Sequence, residues 1–360
     1  MRLKKVSSQL SYYLKRFDRL IRPRGTGIER LIYAVTYRCN SRCIMCNIWQ
    51  ENHSDYPEVT IDDLNLTFSN NPLFQNLTDI GLTGGEPFLR EDLDQICLFF
   101  LNSFSNARIS INTNGLMAEK IYRTTLSLVE EFSIGERNRV RISFSVDGIG
   151  EKHDFIRGTP NNFEKVLKIV ERMQEQIPGI EYSFTFTILP ENYNQIWDVY
   201  NLSKELKVGF SFSPVQVSGI FYQNKDMRFR YTPEMLKEVN KQIRDIQNDD
   251  FNYKNYYYSK MVEYQKNPRK YVSCYGGNNS FFLDPYGKIF PCILYDKSFG
   301  NIKELSIQEI LNGDNAKQIR NEIQKMNCHC WGCESEVSFR RSWNVALWSI
   351  YHRLQKHKKV

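Results

Sequence analysis

Cys39, Cys43 and Cys46 stand together in Tyr37-Arg38-Cys39-Asn40-Ser41-Arg42-Cys43-Ile44-Met45-Cys46. This C-x3-C-x2-C spacing brings three thiolates near enough to occupy three corners of a cubic iron–sulfur cluster. The fourth iron is then left without a protein thiolate and is open to a substrate or cofactor. A fully ligated electron-transfer cluster has no such opening, so the motif points to an enzyme rather than a passive scaffold. A second group, Cys274, Cys292, Cys328, Cys330 and Cys333, lies near the other end of the chain, and Cys97 stands apart. Nine cysteines in short clusters suit metal ligation in a reducing compartment better than a disulfide framework.

The elements that must position these residues alternate. Leu31–Val35, Asp79–Leu82, Arg108–Asn112, Arg141–Val146, Tyr182–Ile188 and Gly209–Ser213 read as strands. Asp92–Phe104, Met117–Glu131, Asn162–Gln176 and Tyr193–Leu206 carry helical spacing between them. This rhythm predicts a parallel sheet with helical crossovers, either a barrel or a doubly wound sheet. Cys39–Cys46, Gly84–Pro87, Asn112–Gly115 and Ser143–Gly148 all end or follow candidate strands, where loops converge on one face of a rigid frame. The stretch 220–270 is rich in tyrosine and charge and reads as irregular, with a helix start at Thr232-Pro233-Glu234. Tyr253, Tyr256, Tyr257, Tyr258 and Tyr264 would line a substrate or pack a domain interface, and packing is the preferred reading. Cys97, within an apolar helical stretch, reads as a core residue.

The three-cysteine motif, followed by Gly84-Gly85-Glu86-Pro87 and by Ser143-Phe144-Ser145-Val146-Asp147-Gly148, resembles the radical S-adenosylmethionine (SAM) superfamily across residues 28–230. The resemblance implies an α/β fold, a partial (β/α)6 TIM-like barrel with a small C-terminal cysteine-rich iron–sulfur domain. It implies that Cys39, Cys43 and Cys46 ligate a [4Fe–4S] cluster whose open iron binds the amino and carboxylate groups of SAM. Gly84, Gly85 and Glu86 would approach the amine. Met45 would contact adenine, with core filling as its other reading. Asn112 and Ser143 or Ser145 would meet the sugar or carboxylate. Arg157 would pair with the carboxylate through its fork.

Phe281-Phe282-Leu283-Asp284-Pro285-Tyr286-Gly287-Lys288-Ile289-Phe290-Pro291-Cys292 reads as a hairpin turning at Asp284–Gly287. Its Gly287-x4-Cys292 spacing resembles the start of the SPASM and shorter twitch extensions of that superfamily. One auxiliary [4Fe–4S] cluster on Cys274, Cys292, Cys330 and Cys333 is the implied carry-over, with Cys328 as an alternative ligand. A four-cysteine zinc site is the structural rival. If Cys328 ligates nothing, it is a candidate hydrogen donor, as in related peptide epimerases.

Hydrophobic residues make up 41% and charged residues 25% of the 360-residue chain, which suits a globular core. No apolar run approaches a membrane span, so cytoplasmic residence is expected. The formal charge of +7 collects at the ends: residues 1–30 hold nine Lys or Arg, and residues 340–360 hold six with no acid. Leu3, Val6, Leu10, Tyr13, Leu14, Phe17, Leu20 and Ile21 recur with helical spacing beside the basic residues. That amphipathic pattern packs on the parent domain or lies on an anionic membrane surface as a peripheral contact; nucleic acid is a poorer match. The expected division is 1–27 basic segment, 28–230 catalytic domain, 231–273 bridging region, 274–340 auxiliary domain and 341–360 basic aromatic tail.

By the resemblance, the shared chemistry is reductive cleavage of SAM and hydrogen abstraction from substrate, with a flavodoxin or ferredoxin-type reductant as electron donor. Oxidative modification of a peptide or protein is the leading function. The alternatives are a small-metabolite dehydrogenase or rearrangement enzyme (including cofactor or antibiotic biosynthesis), a peptide epimerase, and a noncatalytic iron–sulfur or zinc scaffold.

Overall fold

The computed structural model describes residues 27–50, 56–249, 254–267, 271–325, 330–331, 338 and 342. The basic amphipathic N-terminal stretch, the C-terminal basic tail, Tyr253, Cys328 and Cys333 lie outside the described residues. Six strands run parallel in chain order: β1 Arg30–Thr36, β2 Asp79–Gly84, β3 Arg108–Thr113, β4 Val140–Ser145, β5 Glu181–Ile188 and β6 Gly209–Pro214. Each pairs with its successor, as expected when every crossover is a packed helix. The crossovers include α1 Ile61–Phe68, α2 Leu93–Ser103, α3 Ala118–Glu130, α4 Glu151–Arg157, α5 Asn162–Gln176 and α6 Ile196–Glu205. This is the partial (β/α)6 barrel that the resemblance implies, and it decides between the two sheets that the alternation left open.

Period-2 alternation sorts the strand side chains. Leu31, Tyr33, Val35, Ile80, Leu82, Ile109, Ile111, Ile142, Phe144, Phe184 and Phe186 pack in the core with the helices. The opposite face is polar and small at mid-height, where Ser143 lies 2.8 Å from Ser183 and 3.3 Å from Ser110, oxygen to oxygen. Charges close one end of this face: Arg30 pairs with Asp79 at 3.2 Å, and Arg141 and Arg108 both pair with Glu181. Cys97 is fully buried in α2, in agreement with its reading as a core residue.

The chain continues through α7 Pro233–Asp249 and α8 Lys254–Lys266, so the stretch expected to be irregular is largely helical. Its tyrosines hid the pattern because they are spent on packing several partners at once. Tyr258 stacks on Phe212 of β6 at 4.2 Å, while Tyr257 and Tyr264 face Trp331 at 4.9 and 5.2 Å. The hairpin is present as β7 Ser280–Leu283 and β8 Lys288–Phe290, followed by β9 Gly300–Asn301 and helices α9 Ile307–Asn312 and α10 Asp314–Lys325. β7 pairs in parallel with β1, so the second cysteine region continues the catalytic sheet into the order β6-β5-β4-β3-β2-β1-β7-β8-β9.

Candidate functional site

The cysteine loop begins where β1 ends, and its backbone is fastened to two neighbours. On one side lies the loop after β2. Gly85 N–H donates to Thr36 O at 2.9 Å and Glu86 N–H to Arg38 O at 2.8 Å. A Cβ on Gly84 or Gly85 would stand 2.1 Å from Thr36 O or Arg38 O, and Gly84 also has a φ of +147°. Only glycine permits that approach. On the other side is the C-terminal end of α4, whose last carbonyls need donors. The cysteine loop supplies them: Ile44 N–H to Ile156 O at 2.9 Å, Arg42 N–H to Arg157 O at 3.2 Å and Ser41 Oγ to Arg157 O at 2.8 Å. Gly158 ends α4 in the left-handed region, and a Cβ there would meet Arg42 O at 2.2 Å.

Glu86 is 1% exposed and spans two strand ends. One oxygen accepts from Thr113 Oγ1 at 2.9 Å and Phe88 N–H at 3.2 Å; the other accepts from Asn114 N–H at 2.7 Å. Burial pushes its carboxyl up to about 7, although those three donors oppose the rise. Asn114 Nδ2 in turn donates to Asn40 Oδ1 at 2.8 Å, inside the cysteine loop. The carboxylate therefore fixes the relation of the β2 and β3 ends.

Arg157 reaches toward the loop that caps its carbonyl. Its Nη1 lies 3.7 Å from Cys43 Sγ, and its Nη2 lies 2.5 Å from Asp147 Oδ2. Asp147 is fully buried just after β4, with Oδ1 accepting from Thr187 N–H at 2.6 Å. Burial raises the Asp147 carboxyl while Arg157 opposes it; for Arg157, burial is outweighed by Asp147 and the Cys43 sulfur, which hold it above its ordinary value. Arg157 Nε is buried without a hydrogen-bond partner, an open donor directed at no protein group. His153 Nδ1 accepts the Asp147 N–H at 3.1 Å, and burial with the neighbouring Arg157 lowers its pKa to about 3. Burial and the Arg157 charge thus favour the neutral ring.

These residues fit an iron–sulfur cluster with a bound anion. Burial pushes the Cys39 and Cys46 thiols up to about 11 and 12, so their thiolates need a cationic partner to form at neutral pH. The Arg157 guanidinium, with its open Nε–H, supplies one positive group beside Cys43. Among the described residues no three His, Cys, Asp or Glu side chains converge as around a single ion. A cluster asks for something different, since each thiolate takes its own iron corner.

Met45 is buried between Ile156 and Leu189 near Cys43. Asn112 lies exposed on β3 in register with Ser143, whose hydroxyl is already engaged by Ser183; Ser145, one layer nearer the loop, is half-buried beside Thr185. Asp147, Asn114 and Ser41 were not singled out from sequence. Asp147 sits in the quoted Ser143–Gly148 motif, and its position beyond a strand end was the available signal.

Cys274, Cys292 and Cys330 are half-buried, and Cys274 Sγ accepts from Gly276 N–H at 3.3 Å. Trp331, 3% exposed, anchors the segment of Cys330 among Tyr257, Tyr264 and Tyr271.

Residues 33–203 match the Radical SAM superfamily, and residues 274–334 match the SPASM iron–sulfur cluster-binding domain. The chain is 22% identical over 352 residues to the antilisterial bacteriocin subtilosin biosynthesis protein AlbA of Bacillus subtilis (strain 168), covering 90% of this chain and 71% of AlbA. It is 24% identical over 340 residues to an AdoMet-dependent heme synthase of Methanosarcina barkeri (strain Fusaro / DSM 804), covering 86% and 89%. The structure of Streptococcus suis SuiB bound to precursor peptide SuiA shares the fold, with a TM-score of 0.60 at 15% identity, over 89% of this chain and 72% of SuiB.

Proposed function

We propose, for a chain that is a radical SAM enzyme with a C-terminal SPASM-type iron–sulfur domain, that its substrate is a peptide or protein side chain, which it modifies oxidatively. With SAM and a reduced cluster bound, the pair supplies reductive cleavage of SAM and hydrogen abstraction from the substrate. Cys39, Cys43 and Cys46 would hold the cluster. Gly84 and Gly85, by letting the loop after β2 close on Thr36 O and Arg38 O, would bring that loop's backbone to the amine end of SAM, and Arg157, aimed by Asp147, would take the carboxylate. Met45, Asn112, Ser143 and Ser145 would border the nucleoside. Glu86 would meet the amine of SAM while also tying the β2 and β3 ends together, since its three hydrogen bonds leave acceptor capacity on Oε2.

The observation that carries the peptide reading is the likeness to AlbA over 90% of this chain, because AlbA serves the biosynthesis of the bacteriocin subtilosin, taken with the fold shared with SuiB, which is bound to a precursor peptide. The small polar strand residues above the Arg141–Glu181 pair add support, since they leave hydrogen-bonding space where a closed barrel would be filled by branched apolar side chains. Cys274, Cys292, Cys330 and Cys333 would hold one auxiliary [4Fe–4S] cluster able to accept an electron from the substrate, with Cys328 as the alternate ligand or a hydrogen donor. A flavodoxin or ferredoxin-type protein would deliver the first electron. The protein would work in the cytoplasm, its basic ends available for an anionic membrane surface. No helix among the described residues is long and apolar enough to cross a membrane. The proposed division is 1–27, 28–230, 231–273, 274–340 and 341–360.

A second reading, a tetrapyrrole or other small metabolite as substrate, is favoured by the matched lengths of this chain and the heme synthase. Anaerobic incubation with SAM, dithionite and a library of candidate precursor peptides separates the two. Formation of 5′-deoxyadenosine with a matching mass change in one peptide supports the first. The same nucleoside formed only with a free metabolite would replace it.

A further inference from the structure

Between β6 and α7 the chain makes a loop, residues 215–232, whose buried residues Ser218, Phe221 and Asn224 touch both cysteine regions. Asn224 is 1% exposed and Ser218 is fully buried. Asn224 Nδ2 donates to Met45 O at 2.8 Å, one residue before Cys46, and to Gln216 O at 3.0 Å. Its Oδ1 accepts from Ser218 N–H at 2.9 Å. Ser218 Oγ then donates to Ile293 O at 2.7 Å, one residue after Cys292, and accepts from Phe221 N–H at 3.1 Å. The loop is fastened to the first region twice more, by Asn47 N–H to Tyr222 O at 2.9 Å and Asn47 Nδ2 to Gln223 O at 3.1 Å. Phe221 fills the space between, against Tyr37 and Phe282.

Two side chains thus complete a hydrogen-bonded path from the backbone beside Cys46 to the backbone beside Cys292. Both are shielded from water, so neither bond can be exchanged for solvent without leaving a buried polar group unmet. Joining β6 to α7 does not by itself require this. A loop whose work was only to connect them would meet its own polar groups and could leave both cysteine segments alone.

We propose that residues 218–224 form a positioning bracket through which the Cys292 segment sets the conformation of the Cys43–Cys46 turn, with Asn224 and Ser218 as its positioning residues. The bracket rests on the reading of Cys46 and Cys292 as ligands of separate iron–sulfur clusters. Occupancy at the second site, by fixing Cys292 and the adjoining Ile293 carbonyl, then pre-organises the first site for SAM. Neither side chain touches SAM or substrate.

The test uses the full chain, reconstituted anaerobically with iron and sulfide, as parent, Ser218→Ala, Cys292→Ala and the double variant. Iron content, the paramagnetic resonance spectrum of the reduced Cys39–Cys46 cluster with and without SAM, and SAM affinity are read on each. Cys292→Ala is expected to weaken SAM binding about tenfold and to alter the SAM-dependent spectrum, within the range usual for coupled sites. Ser218→Ala should do the same while keeping its full iron content, and the double variant should be no worse than either single change. Asn224→Asp, which keeps the acceptor for Ser218 N–H and loses both donors, should reproduce the spectral change if the alanine variants fold poorly. Additive losses in the double variant, or an unchanged spectrum and affinity in Ser218→Ala and Asn224→Asp, would overturn the bracket. So would parent protein holding about four irons rather than about eight, since Cys292 would then ligate no second cluster. Because the spectra need no turnover, parent protein that fails to form 5′-deoxyadenosine counts against the proposed function and leaves the bracket to be judged on the spectra.

Discussion

The Cys39–Cys46 loop and the position of Cys330 are held by different forces. Cys39–Cys46 lies in a loop fastened by directional bonds: from Gly85 N–H and Glu86 N–H on one side, to Ile156 O and Arg157 O on the other, with Asn114 and Asn224 adding side-chain contacts. Cys330 belongs to a segment seated by aromatic burial, Trp331 among Tyr257, Tyr264 and Tyr271. Hydrogen bonds fix angle and register, which a site must have if a small molecule is to meet one open corner of a cluster. Aromatic packing fixes position but tolerates small rotations, which suffices for a cluster closed by protein ligands. The difference suits the proposed division into a catalytic first site and an electron-accepting second one.

The largest expected effect comes from removing the first set of ligands. Cys39→Ala/Cys43→Ala/Cys46→Ala should lower iron from about eight to about four per chain and abolish 5′-deoxyadenosine formation. Retention of about four irons would show that the second region assembles independently. Loss of nearly all iron would break the comparison and return Cys274–Cys330 to zinc or plain packing.

Trp331→Ala probes the opposite region. Truncating a buried Trp costs about 3–5 kcal/mol, and here the cavity opens beside Cys330. The expected outcome is loss of about four irons with the SAM-responsive spectrum of the first cluster preserved. Equal loss from both sites would mean that aromatic packing supports the whole sheet rather than its own end.

Arg157→Ala sharpens the account of the first region. It leaves the fully buried Asp147 without its cation, a loss of about 3–5 kcal/mol in unfolding of the metal-free chain. Arg157→Lys keeps the charge but not the fork, so it should recover much of that stability while SAM binding stays at least about tenfold weaker. Full recovery of SAM binding by lysine would reduce Arg157 to a point charge.

Much of this was legible in the sequence because the period-2 and helical patterns agree with the motifs they carry. Strands such as Tyr182–Ile188 moved by a residue, and helix Asn162–Gln176 not at all. The short helix α4 was missed, since seven residues show too little periodicity, and with it the capping of Ile156 O and Arg157 O by the cysteine loop. Glu86 could be read as a ligand-facing carboxylate from its motif, but only three dimensions show that it also binds Thr113 and Asn114 at the end of β3. Ser218 and Asn224 gave no signal at all, because a buried bracket between segments far apart in sequence leaves no local pattern. The parallel pairing of β7 with β1 is of the same kind: strand character is local, but the choice of partner is not.

The smallest effect concerns the hairpin that carries Cys292. Asp284 Oδ1 accepts from Lys288 N–H at 2.8 Å and Tyr286 N–H at 3.0 Å, closing the turn. Burial pushes its carboxyl from 3.8 up to about 6, and those same donors limit the rise. The folded chain therefore keeps this proton to higher pH than the unfolded chain does. The stabilising contribution is complete below about pH 3.8 and is lost as pH rises through about 6. Asparagine retains an Oδ1 acceptor for both N–H groups and has no proton to lose. Asp284→Asn should thus unfold like the parent at about pH 4 and be more stable by about 1–3 kcal/mol at about pH 7, read from urea unfolding of the metal-free chain. Parallel pH profiles for the two proteins would mean that the ionised Asp284 is fully compensated by its donors, and the hairpin would then join the cysteine loop as a region held by directional bonds.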